Sequence, residues 1–265
     1  MEAFQKYLED LNLAKSTIGT HLKQFKLFEE VDIHDQDKMI ELVKQQETLS
    51  KQKTLSSTMS KYLQFVDKPH NKIRKYITTL NDELAVIHKK RSQKQVESAG
   101  VSVADMKKFT DQLYKDKKYR EFVILYCFIY LNCRNQDLIA EVVDAHHEMD
   151  DKKNYFVRSK KKDTCTLYRN VYKTSTTYDR KINKFVCKKF VNAINNISYV
   201  FKPNDNIDRM VKKITEPLGS ITESVITKLI LSEKQNMNDV ANVSKNRGTS
   251  ISTLHSNYNG LRETE

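Results

Sequence analysis

Tyr119-Arg120-Glu121-Phe122-Val123-Ile124-Leu125-Tyr126-Cys127-Phe128-Ile129-Tyr130-Leu131 is the stretch from which the fold is read. Past its first turn it is apolar almost all round, and a helix of that kind belongs at the buried centre of a domain. Its apolar run, Phe122 to Leu131, has about half the length needed to span a bilayer, so a membrane protein is excluded.

Working toward the N-terminus, Ser102 stands where a cap would open a helix through Met106 and Phe109 to Leu113. Ahead of it the chain changes character. Lys89 to Gly100 is basic, polar and poor in apolar residues, and reads as a linker, placed at 91–100. Residues 1–90 then form a helical domain. Phe4 to Glu30 holds two short helices, the second capped by Ser16, and further helices run from Asp35 to Gln46, Ser50 to Val66 and Ile73 to His88.

Toward the C-terminus the period switches from helical to alternating after Asp150. Tyr155 to Val157, then Cys165, Leu167 and Arg169 to Tyr172, then Arg180 to Phe185, read as three short strands. Helical spacing returns at Phe185 to Ile197, Asn206 to Ile214, Ile221 to Leu231 and Met237 to Lys245. The expected fold is mainly α, with a small antiparallel β-sheet in a C-terminal domain over 101–265.

Composition narrows the function. The chain has 265 residues, and only 5 glycines and 3 prolines, which favours long helices over turn-rich sheets. Its 46 basic and 34 acidic residues leave a net charge of +12, a field that draws polyanions. The clusters Lys89, Lys90, Arg91 and Lys160, Lys161, Lys162 suit phosphate contacts, and suit solvated faces equally. Cys127, Cys133, Cys165 and Cys187 lack paired spacing, which points to reduced thiols in the cytosol or nucleus and to no zinc site. His146 and His147 are adjacent and read as part of a solvated loop rather than a metal site. The charged start of the chain, from Glu2 onward, does not read as a signal peptide. No cofactor is expected.

Three stretches in order resemble the tyrosine recombinase (phage-integrase) family. Leu131-Asn132-Cys133-Arg134-Asn135-Gln136-Asp137-Leu138 is similar to that family's apolar helix followed by Gly-Leu-Arg-x-x-Glu-Leu, with Arg134 on the first catalytic arginine and Asp137 on the acidic residue after it. Val171-Tyr172-Lys173-Thr174-Ser175 resembles the strand that bears the family's lysine. Asn246-Arg247-Gly248-Thr249-Ser250-Ile251-Ser252-Thr253, with Tyr258 beyond it, resembles the Gly-His-Ser-x-x-x-Thr box before the nucleophilic tyrosine. Tyr7-Leu8 through Ser16-Thr17-Ile18 to Phe25 and Phe28 is similar to the helical domain that grips the far side of DNA. The style is closest to recombinases of large DNA viruses and their mobile elements.

The resemblance implies a two-domain clamp on duplex DNA, self-association there, and action in the nucleus or a cytoplasmic site of DNA replication. It implies that Tyr258 attacks a phosphate held by Arg134 while Lys173 protonates the leaving oxygen. The pattern also departs from the family. Thr222 stands where a second arginine belongs and Gly219 where the histidine of the same box belongs, and Thr249 replaces the histidine of Gly-His-Ser. Arg209 and Arg247 are the nearby arginines that offer compensation. Two other readings therefore stay open: a recombinase fold that binds DNA without cutting it, and a basic helical protein unrelated to DNA.

Overall fold

A computed structural model describes residues 1–145, 147–159, 164–172, 180–233 and 237–258, with only the backbone described for 237 and 255–258. The chain divides into two compact units, 1–87 and 88–265.

The first unit is helical throughout: α1 (Glu2–Asp10), α2 (Lys15–Phe25), α3 (Gln36–Lys44), α4 (Leu49–Phe65) and the start of α5 (Asn71–Ala99). Asp35 caps α3, accepting from the Lys38 amide, and Thr48 does the same for α4 from Lys51. The expected cap at Ser16 is displaced. Asn12 turns the chain in the left-handed region at φ 53°, so α2 has already begun at Lys15 and Ser16 lies inside its first turn. The helical spacing of apolar residues converges on one core holding Phe4, Leu8, Phe25, Met39, Leu55 and Leu63. Tyr62 packs edge-on to Phe4, with ring centroids 5.3 Å apart, and lies 4.7 Å from Phe25.

The basic stretch expected as a linker at 91–100 is instead the end of α5. Ser92 is buried, and Val96 and Ala99 pack against the core of the second unit. The physical reason is that lysine, arginine, glutamine and glutamate are good helix formers. The first residue to stop the helix is Gly100, left-handed at φ 64°.

In the second unit, α6 (Val103–Lys115) opens with a reciprocal cap: the Asp105 amide donates to Ser102 Oγ, and the Ser102 amide to Asp105 Oδ2, at 3.1 and 3.0 Å. α7 (Tyr119–Leu131) has the bounds its sequence suggested and buries Phe122 through Leu125 and Cys127 through Ile129. Around it stand α8 (Lys188–Asn195), α9 (Ile207–Ile214), α10 (Glu223–Ser232), α11 (Met237–Arg247) and α12 (Ile251–Tyr258).

The sheet sits mid-chain and is mixed, not antiparallel. Its order is β1 (Ala140–Asp144), β2 (Asn154–Ser159), β3 (Thr164–Arg169), β4 (Lys181–Phe185). β1 runs parallel to β2, and the other two pairings are antiparallel. β1 was not anticipated, since five residues with charged, exposed positions at Glu141 and Asp144 carry little periodic signal. β3 ends at Arg169 rather than continuing to Tyr172. The sheet meets the helices through Phe185 and Phe190, stacked at 4.2 Å, and through Phe156.

Phe128 is 1% exposed at the middle of α7. Phe128→Ala is expected to cost about 3–5 kcal/mol in a urea titration, whereas Ser102→Ala, which removes a cap, costs about 1 kcal/mol.

Candidate functional site

The site begins where α7 runs out of apolar residues. Asn132 takes the left-handed conformation (φ 52°), the Cys133 amide closes back on the Cys127 carbonyl at 3.2 Å, and a short 3-10 turn, Asn135–Leu138, follows. Asp137 in that turn is fully buried and accepts from the Arg134 amide at 3.0 Å. The Arg134 side chain is half-buried.

Asp137 is paired across the fold with Arg169, the last residue of β3, which is 1% exposed. The Arg169 guanidinium lies 3.4 Å from Asp137 Oδ2. It also donates to the Asn246 carbonyl at 2.8 Å and to Asn183 Oδ1 at 2.9 Å. One side chain thus ties the 3-10 turn, β4 and the end of α11 together. Sequence reasoning missed Arg169 as a site residue, although its signal was present. Cys165, Leu167 and Arg169 share the buried parity of β3, so an arginine stands where a third apolar residue belongs.

A second buried arginine reinforces the joint. Arg247, at the end of α11, is 2% exposed, forms an ion pair with Glu223 and donates to Thr227 Oγ1 at 2.9 Å. It also reaches the Asn132 carbonyl at 3.4 Å. Thr222, which the sequence resemblance sets where a second arginine is expected, caps α10 by accepting from the Val225 amide. Arg247 is therefore committed to holding α10, α11 and the end of α7 together. Arg209 is exposed on α9.

The stretches 131–138 and 246–253 are thus joined by Arg169 and Arg247. Beside them lies a cleft of about 560 Å³ whose lining includes Arg169, Arg180, Lys181, Lys245, Thr249 and Ser250. Ser250 Oγ accepts from the Thr253 amide at 3.1 Å and so caps α12, whose last residue is Tyr258. Lys181, the first residue of β4, is half-buried; its ammonium donates to the carbonyls of Lys245 and Asn246 at the end of α11 and lies 5.4 Å from the Tyr172 ring. Burial and then the charge of Arg169 bring this ammonium down from 10.5 to about 8; Arg134 adds to the shift and Asp137 opposes it.

The other expected residues fall elsewhere. Lys89 is half-buried and Lys90 and Arg91 are exposed, all on α5. Lys160, Lys161, Lys162, Lys173 and His146 lie outside the described residues, as does the side chain of Tyr258. The His147 ring sits 5.7 Å from that of Tyr155. Among the described residues no group of three or more histidine, cysteine, aspartate or glutamate side chains is placed to hold a metal ion, and no helix is long and apolar enough to cross a membrane. A slightly larger hollow of about 600 Å³ is lined in part by Ile139, Ala140, Val171, Tyr199 and Phe201 together with Lys152, Lys153 and Lys202, and has no arginine in its lining.

The chain matches no family model, no curated protein and no solved structure.

Arg169→Met leaves the Asp137 carboxylate buried without its cation and is expected to cost about 3–5 kcal/mol by chemical denaturation. The double variant Arg169→Met/Asp137→Leu recovers much of that loss, because it removes the stranded charge. A loss under about 1 kcal/mol in the single variant would show that the pair does not hold this joint together.

Proposed function

We propose that the chain binds duplex DNA as a tyrosine-recombinase-like protein, with a backbone phosphate seated in the cleft between β4 and the α11–α12 joint. One observation carries the reading: two stretches that resemble the family's arginine and nucleophile motifs, far apart in sequence, meet at two buried arginines beside a basic, hydroxyl-bearing cleft. Cationic and hydroxyl groups are those that proteins direct at phosphate oxygens. The net charge of +12 supports the same partner. Assembly of several protomers on the DNA, and action where DNA is replicated in the cell, belong to this reading.

In the cutting form of the reaction, the Tyr258 oxygen attacks phosphorus. A phosphotyrosine bond forms, the bond to the 5′ oxygen breaks, and the proton lost by the tyrosine is balanced by one given to that leaving oxygen by Lys173. Arg134 holds the non-bridging oxygens, where a charged planar donor acts most strongly.

A second reading, DNA binding without cleavage, is favoured by Thr222 and Arg247. Thr222 is a helix cap, and Arg247 is buried against Glu223. One missing oxyanion donor costs about 3–4 kcal/mol, or roughly 100- to 1000-fold in rate.

Gel-shift affinity for duplex DNA is expected to fall about 10³- to 10⁵-fold between 50 and 200 mM salt if six to ten phosphates are contacted. No binding at low salt removes the DNA reading altogether. On nicked suicide substrates the protein is expected to form an adduct that survives detergent, and Tyr258→Phe to lose it while keeping its affinity. An adduct that persists in Tyr258→Phe removes the role given to Tyr258, and the absence of any adduct with binding intact selects the second reading.

A further inference from the structure

We propose that Lys181 supplies, from strand β4, the second cation of the phosphate-binding cleft, the place for which α10 offers only Thr222. The inference rests on the phosphate reading of the cleft and names a residue that none of the three motifs contains.

The geometry begins with what is excluded. Arg247 is buried and neutralised by Glu223, and Arg169 is buried and paired with Asp137. Neither charge is turned outward. Lys181 lines the same cleft as Arg169 but is half-buried rather than buried, and among the described residues it has no carboxylate within salt-bridge distance. Its ammonium shares the Asn246 carbonyl with Arg169, at 3.4 and 2.8 Å, so two cations converge on one oxygen. The charge of Arg134 reaches it as well.

Among the described residues, the groups facing Lys181 are Arg169 on β3, Asp137 and Arg134 at the 3-10 turn, Cys133 before it, and the Tyr172 ring, with Arg180 and Lys245 charged beside it in the cleft lining. The carbonyls of Lys245 and Asn246 complete the set from α11. The sole carboxylate among them is already bonded to Arg169. A lysine set among like charges and partly out of water is destabilised as a cation, and an arriving anion relieves that cost. Phosphate oxygens bound there hold Lys181 in its charged form. Binding above pH 8 must then draw one proton from solution, so affinity falls as pH rises through that value.

The test is the affinity of the protein for a fluorescein-labelled duplex at fixed low salt, from pH 7.5 to 9.5, with inorganic phosphate as a second probe read by thermal shift. Wild-type affinity is expected to weaken roughly tenfold across that range. Lys181→Arg, which does not titrate there, is expected to keep its affinity at pH 9.5, and Lys181→Gln to bind weakly at every pH. Rescue by arginine separates a role in anion binding from the capping of α11, which is followed by the melting temperature without phosphate. Equal affinities and equal pH profiles for wild type and Lys181→Gln overturn the proposal. If duplex DNA fails to bind but phosphate still raises the melting temperature of wild type and not of Lys181→Gln, the DNA reading falls and the anion site stands. If phosphate shows no such difference either, the site falls too.

Discussion

A guanidinium taken out of water keeps its charge only if hydrogen-bond acceptors and a counterion are fixed around it beforehand. Arg169 meets that requirement with groups from three places: Asp137 after α7, Asn183 on β4, and the Asn246 carbonyl at the end of α11. The position of each element is therefore conditional on the others. The buried joint is not fully satisfied among the described residues, which offer Arg169 Nε and Asp137 Oδ1 no hydrogen-bond partner. Each unmet polar atom costs about 1–3 kcal/mol. The pair accordingly contributes more to the arrangement of the elements around it than to net stability.

That arrangement decides which cations face outward. The chain carries two deeply buried arginines near the cleft, and each is matched by a carboxylate: Arg169 by Asp137, Arg247 by Glu223. Among the described residues that line the cleft, the cations without a buried carboxylate partner are Lys181, Lys245 and Arg180, the last 3.7 Å from exposed Asp151. A net charge of +12 belongs to the chain as a whole; the pairing inside the joint decides which cations at the cleft keep no buried counterion.

Much of the fold was legible because it follows from near neighbours in sequence. α7 has its expected bounds, Ser102 caps α6, and α9 falls within the expected stretch Asn206 to Ile214, since apolar spacing and capping side chains act over one or two turns. The errors have separate causes. The end of α5 was read as a linker because its residues are charged, yet charge by itself does not oppose a helix. β1 is too short for its alternation to stand out, and its parallel pairing with β2 depends on where the chain returns.

For the site, the sequence by itself singled out stretches 131–138 and 246–253 by their arginine and hydroxyl residues and placed Arg169 in a strand with Cys165 and Leu167. The tertiary structure alone decided that Arg247 is spent on Glu223, that Thr222 is a cap, and that Lys181 stands among cations at the cleft. The physical reason is range. Periodicity is set by residues within a few positions, whereas the state of a charge is set by what lies within a few ångströms, and for Lys181 those neighbours come from residues 134, 137, 169, 245 and 246.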